Sequence, residues 1–242
     1  MNKEKNKDIQ INLATYHHKN LSNPLVILLG SVSIFFLTQI MSGFVVLPFK
    51  TFINNDNLLS VVYVAFSGLV LFSLLSLVRK IISFSWSSIG WKKPNKRDIL
   101  RVLPALFLYI FISMALTALA TKFIPSFNVE QAQKVGFDQL KKPLELFLAF
   151  IALSVITPMI EETIFRGILF KGLRRKLPFW FSAVITSIIF ATAHMQWNVA
   201  VDTFALSLIL CYLVEKSGSV VPAILLHALK NTLAFVFLFL IK

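Results

Sequence analysis

The chain has 242 residues, 57% of them hydrophobic and 14% charged, and a formal net charge of +13. Soluble domains average about 45–50% apolar and about 25% charged residues, so this composition and a mean hydropathy of +0.76 exclude an ordinary soluble domain and point to an integral membrane protein. The bases fall in short clusters between apolar runs, the pattern of loops meeting anionic lipid, and nucleic acid is excluded as a partner.

Residues 1–22 form a polar lead with Lys3, Lys5, Lys7 and Lys19; His17 and His18 read as solvated tail residues. No cleavable signal peptide is evident. Residues 23–242 read as one transmembrane domain, since Gly and Pro are too sparse for a flexible linker and no repeat is evident. Seven apolar runs follow in order: 25–47, 58–78, 99–120, 144–170, 178–194, 199–214 and 220–241. A membrane span needs roughly 20 residues, and the fifth and sixth runs are short for that. The third loop, 121–143, mixes Lys122, Lys134, Lys141 and Lys142 with Glu130 and Asp138. Its segment FDQLKKPLELF reads as an interfacial helix. The expected fold is all-α, a polytopic transmembrane helix bundle of about 7–8 spans, any eighth element lying in that loop.

Charge alternates from loop to loop. The second loop holds Arg79, Lys80, Lys92, Lys93, Lys96 and Arg97, the fourth Lys171, Arg174, Arg175 and Lys176, and the sixth Lys216. The first and fifth are poor in bases. This asymmetry places the N-terminus and the even loops in the cytoplasm. The single cysteine, Cys211, rules out an intramolecular disulfide and a cysteine-based metal site.

The first three runs carry essentially no ionisable residue in their centres and read as scaffold; the last four do carry them, and such residues are functional candidates by default. In the fourth run, SVITPMIEETIFRGILFKG places Glu162 and Arg166 four apart on one helical face, acid first, the favourable order for a pair. Glu161 points about 100° away. Pro158 cannot donate to the carbonyl of Ser154, so a kink is expected there. In the fifth run His194 follows Phe190 by four residues, which lets the ring wall the imidazole. In the seventh, His227 and Asn231 share a face. Asp202, opening the sixth, reads as an interfacial structural residue.

Two carboxylates and two histidines on separate helices admit three chemistries. A carboxylate in an apolar site serves as general base toward water, with histidine and asparagine donors for an oxyanion. Glutamate and histidine ligate zinc, although H-E-x-x-H is absent and a site would have to be assembled from three helices. Buried Glu and His also relay protons in transporters, which more often show an internal repeat.

EETIFR (Glu161–Arg166), FATAH (Phe190–His194) and HALKN (His227–Asn231), in that order on three spans, resemble the EExxxR, FxxxH and HxxxN signatures of the CAAX-protease and bacteriocin-processing (CPBP) family of intramembrane proteases. RGILF after the acid pair is also similar, and WSSIGWKKPNKRDIL weakly resembles the basic segment before the third span of bacterial members. The motifs fall within 143–242. The resemblance implies a glutamate-dependent endopeptidase in which Glu161 activates water, His194 helps hold it, His227 and Asn231 stabilise the oxyanion, and Glu162 and Arg166 position the site. It implies no cofactor, with zinc as the alternative, and as partners a hydrophobic or lipidated peptide substrate and membrane lipid. The run of Lys, Asn, Ile and Phe suggests an AT-rich, bacterial genome, which with the apolar runs makes this a multi-pass protein of the cytoplasmic membrane. That favours processing of peptide pheromones or bacteriocins over prenyl-protein maturation. A non-catalytic bacteriocin-immunity or interaction role, and proton-coupled transport, are the other readings. At about 1.5 Å rise per residue, Glu161 lies about 15–20 Å, His227 about 10–15 Å and His194 about 20–25 Å from the basic side. A cavity near mid-bilayer opening to the cytoplasm is expected.

Overall fold

The computed structural model describes residues 23–82, 84–125, 127–129, 131, 140 and 142–241. The polar lead lies outside them, as does most of FDQLKK; LELF belongs to a long helix. Among the described residues the chain is helical throughout, without strands.

Seven helices match the seven apolar runs. α1 (Pro24–Val46) starts where Asn23 Oδ1 accepts from the Leu25 amide at 2.9 Å, with Pro24 pre-set for the first turn. A 3-10 turn (Leu47–Thr51) leads to α2 (Asp56–Ile82). α3 (Lys96–Phe123) opens with a reciprocal cap in which the Asp98 amide donates to Asn95 Oδ1 and the Asn95 amide to Asp98 Oδ2. α4 (Pro143–Leu173) is the longest, at 31 residues. α5 (Phe179–Thr192) has 14 residues, α6 (Trp197–Ser217) 21 and α7 (Val221–Phe239) 19. Gly218 ends α6 in the left-handed conformation, φ 64°, its amide donating to Val214 O.

All but α5 are long and apolar enough to cross a bilayer, and the chain is a multi-pass membrane protein. The sixth run, short in the sequence, gains length because Trp197, Asn198 and the polar last turn are also helical. α5, at about 1.5 Å per residue, is roughly 21 Å long, less than the hydrocarbon thickness.

Among the described residues three apolar clusters hold the helices together, the smallest around Ala149, Ala152 and Phe235. One joins α3, α5, α6 and α7 through residues such as Leu106, Ala183, Leu206, Leu210 and Leu226. Another joins α1, α2, α4 and α5 through Leu71, Leu75, Ile164, Leu169 and Phe190. Phe36, Phe44, Leu69, Phe107 and Phe111 on α1–α3 face outward, as lipid-facing side chains must.

α4 is not uniformly wound. Ala152–Ile156 and Thr163–Phe170 are wide, π-helical turns, with the Thr157 amide reaching Ala152 O and the Lys171 amide reaching Arg166 O, five residues back. Between them lies the regular stretch Thr157–Glu162. The kink expected at Pro158 is accommodated by the wide turn immediately before it.

Candidate active site

Glu161 and Glu162 close the regular stretch between the two wide turns. The side chains of Glu162 and Arg166 are fully buried, and Arg166 Nη1 donates to Glu162 Oε1 at 2.9 Å, the pairing the four-residue spacing predicts. The same oxygen accepts from His227 Nδ1 at 2.8 Å. Because a carboxylate accepts, the bonded Nδ1 carries the hydrogen, and Nε2 is turned outward. Nε2 lies 3.7 Å from Glu161 Oε2. That is beyond hydrogen-bond reach and leaves Glu161 Oε2 without a direct partner. Thus α4 and α7 bring Glu161, Glu162, Arg166 and His227 together: Glu162 is tied through Oε1, while Glu162 Oε2 and Glu161 Oε2 have no hydrogen-bond partner.

Phe190 is the hub of the apolar side. Its ring lies 5.0 Å from the His194 ring and 6.0 Å from the His227 ring, edge-on to both, and 4.4 Å beneath the Arg166 guanidinium. A cation over an aromatic face is stabilised by the ring quadrupole, so Phe190 both walls the imidazoles, as the four-residue spacing suggests, and supports a buried arginine. The depths from residue counting differ by about 10 Å. α5 is short, and near its C-terminal end Phe190 stands between His194, His227 and Arg166.

α5 ends at Thr192, two residues before His194. Ala193 and His194 form a turn, and Met195 takes φ 51° to redirect the chain toward α6. His194 Nδ1 donates to Phe190 O at 2.9 Å. A carbonyl can only accept, so the hydrogen sits on Nδ1 and Nε2 presents a lone pair. The bond caps a carbonyl at the helix end and fixes the tautomer at once.

Asn231 does not sit free beside His227. Its Nδ2 donates to Leu153 O at 3.0 Å. Pro158 has no N–H, and in a wide turn the acceptor it leaves unfilled is five residues back, at Leu153. The asparagine fills that gap from α7, using one of its two amide hydrogens.

Sequence reading passed over two polar connections. Asp202 is more than an interfacial residue: Tyr109 Oη and Ser113 Oγ each donate to its Oδ1 at 2.6 Å, and Lys230 Nζ lies 3.3 Å from its Oδ2. The signal was an acid in one apolar run and a base in another. Trp91 Nε1 donates to Thr163 Oγ1 at 3.1 Å, seating the loop before α3 against the wide turn of α4. There Gly167 is required, since a Cβ on it would stand 2.6 Å from Ile89 O. A cleft of about 490 Å³ between the end of α1, α2 and Leu153 is not lined by Glu161, His194 or His227.

Glu161 oxygens with His194 and His227 Nε2 are donor types that zinc accepts. Among the described residues no three His, Cys, Asp or Glu side chains gather into a metal-ligating group. Chemically, the site offers a carboxylate oxygen without a hydrogen-bond partner, an oriented imidazole lone pair and a second imidazole beside a buried carboxylate.

Residues 143–233 match the profile of the family described as "Type II CAAX prenyl endopeptidase Rce1-like". Over 221 residues the chain is 24% identical to the membrane-embedded CAAX protease MroQ of Staphylococcus aureus (strain USA300), covering 86% of this chain and 87% of that protein. It is 31% identical over 85 residues to the putative membrane peptidase YdiL of Bacillus subtilis (strain 168), 35% of each chain. It is also 31% identical over 98 residues to an uncharacterized 24.3 kDa protein of Escherichia coli, covering 38% of this chain and 45% of that one. Against these last two relatives the match thus spans less than half of their length. No solved structure matches.

Proposed function

We propose that this chain, whose residues 143–233 match the Rce1-like family of CAAX prenyl endopeptidases, is an intramembrane endopeptidase that hydrolyses a peptide bond of a hydrophobic or lipidated peptide with water activated by Glu161. The observation that carries this reading is the asymmetry of the acid pair. Glu162 Oε1 is committed to Arg166 and His227, whereas Glu161 Oε2 has no partner nearer than His227 Nε2 at 3.7 Å.

In the proposed reaction a water lies between Glu161 and the lone pair of His194 Nε2. Glu161 takes its proton as the oxygen attacks the scissile carbonyl. The resulting oxyanion is met by the remaining Asn231 amide hydrogen, with His227 held at Nδ1 by Glu162 and its Nε2 turned to the reacting carbonyl. As the tetrahedral intermediate collapses, the C–N bond breaks and Glu161 returns the proton to the leaving amine. Glu162 and Arg166 act as positioning residues. No metal is used in this scheme, and no other cofactor.

The bases of the second, fourth and sixth loops support a cytoplasmic N-terminus and residence in the bacterial cytoplasmic membrane. Peptide pheromone or bacteriocin-related precursors are the proposed substrate class. The test is comparative peptidomics of membrane and secreted fractions, wild type against Glu161→Gln. Peptides that vanish with Glu161→Gln support the reading; full activity of that variant on a verified substrate refutes the general-base role. Metal analysis of active protein tests the metal-free scheme, and a phenotype kept by Glu161→Ala would favour a binding or immunity role.

A further inference from the structure

At the basic end of the bundle, where α4 and α6 finish and α7 begins, a group of charges plays no part in the acid–histidine site. A cleft of about 280 Å³ lies there, with Phe170 at its wall and Lys171, Arg174, Arg175, Glu215 and Gly218 around it. Lys171 Nζ donates to Gly218 O at 3.1 Å. Lys92, from the loop before α3, brings its Nζ within 2.7 Å of where a Cβ on Gly218 would stand. Two ammonium groups therefore converge on one turn, and Lys92 and Arg175 are both within electrostatic reach of Lys171. The carboxylate of the lining is already committed: Arg174 grips Glu215 with two bonds, Nε to Oε2 at 3.0 Å and Nη2 to Oε1 at 2.8 Å. Among the described residues Arg175 has no carboxylate partner.

A cation at a helix C-terminus is ordinary, and it accounts for Lys171 capping the turn after α6. It does not account for Lys92 and Arg175 drawn in beside it. Like charges near a protein surface repel several-fold more strongly than in bulk water, so the arrangement favours an anion. The level of the cleft decides which kind. Its wall residue Phe170 touches Phe179 (ring centroids 6.1 Å), which touches Trp180 (5.0 Å), and Trp180 is 70% exposed. Across α6, Lys216 Nζ stands over the exposed Tyr212 ring at 5.6 Å. Exposed Trp and Tyr at the ends of spans mark the headgroup level, and basic pockets between spans at that level take acidic headgroups. Below Trp180, Phe181 and Ile188 are exposed on α5, an apolar surface for an acyl chain.

We propose that this cleft binds the phosphate of an anionic glycerophospholipid, held by Lys92, Lys171 and Arg175. The test uses the full chain in mild detergent with phosphatidylglycerol or phosphatidylcholine, read by native mass spectrometry and by the lipid-dependent rise in melting temperature. Phosphatidylglycerol is expected to be retained and to stabilise the protein, and phosphatidylcholine is not. Arg175→Gln, an exposed side chain, should weaken retention about fivefold, and Lys92→Gln/Lys171→Gln/Arg175→Gln on the order of a hundredfold, if each base contributes as a surface cation does. The equally charged control Arg79→Gln/Lys80→Gln/Lys96→Gln should retain the lipid. Equal losses in the control and cleft variants would overturn the proposal, as would equal retention of the two lipids. So would full stabilisation by inorganic phosphate alone, which would make the cleft a site for a soluble anion. If the triple variant fails to fold, Arg175→Gln alone decides.

Discussion

His227 and Glu162 are joined by a 2.8 Å hydrogen bond from Nδ1 to Oε1 across 65 residues of sequence, and both side chains are buried. The bond fixes which face of the imidazole is presented to Glu161. It also links α7 to the Arg166 pair, so the tautomer of one histidine depends on a buried ion pair on another helix.

The two adjacent glutamates should therefore separate stability from turnover. Glu162→Gln leaves the Arg166 guanidinium buried without its counter-charge and should cost about 3–5 kcal/mol, the usual penalty for breaking a buried pair. Glu161→Gln should leave stability within about 0.5 kcal/mol while lowering turnover by about 10²–10⁴, the range for a general base. Denaturant or thermal unfolding in detergent, run beside cleavage of a verified substrate, measures both. A Glu161→Gln protein as unstable as Glu162→Gln would show that Glu161 is structural.

Asn231 has two tasks in this reading, and Pro158 allows them to be told apart. Asn231→Ala should leave Leu153 O without a donor and cost about 1–3 kcal/mol, besides reducing turnover. Pro158→Ala supplies an N–H in the same helix. The double variant Pro158→Ala/Asn231→Ala should recover most of the lost stability and none of the activity. Recovery of both would mean that the asparagine acts only as glue between helices.

The motif residues were legible because their spacing is local. Glu162 and Arg166 meet at i,i+4, and Phe190 meets His194 at the same interval; helical spacing brings such pairs together, and the contacts persist although Arg166 lies in a wide turn and His194 in the turn after α5. The helical runs were legible because a bilayer imposes length and hydropathy on each span. What was not legible depends on contacts between helices. That His227 chooses Glu162 for its bond and leaves Glu161 open is a matter of rotation of α7 against α4. That Asn231 reaches Leu153 O follows from a wide turn whose hydrogen-bond register no spacing rule reveals. The length of α6 was underestimated because its last turn is polar, and the end of α5 was misplaced because Ala193 and His194 continue the apolar run but not the helix.

Gly167 tests the seating of the loop before α3. Gly167→Ala would place a methyl group 2.6 Å from a backbone oxygen, Ile89 O, which cannot yield without moving the loop. Overpacking of this kind costs about 1–3 kcal/mol. The Trp91–Thr163 bond should break with it, giving faster proteolysis within residues 84–95 and altered tryptophan fluorescence. Unchanged cleavage rates would mean that the loop is not held at this point.

The Asp202–Lys230 pair makes a charge-balance prediction about a cluster outside the motif residues. Lys230 Nζ meets Asp202 Oδ2 at 3.3 Å, and the other carboxylate oxygen takes hydrogen bonds from Tyr109 and Ser113. Three helices, α3, α6 and α7, thus meet at one carboxylate, and Lys230 is the residue before Asn231. Lys230→Met removes the counter-charge and leaves Asp202 with two neutral donors. Because both side chains keep some exposure, 18% and 27%, the cost should fall below the fully buried range, at about 1–3 kcal/mol. Asp202→Asn/Lys230→Met removes both charges and should be more stable than either single variant, since neither charge is then left alone among apolar spans. A double-mutant cycle on melting temperature reads the coupling. If the two single effects simply add, the pair contributes nothing as a pair. If the double variant regains stability but still cleaves slowly, the cluster also sets the rotation of α7 that aims His227 and Asn231.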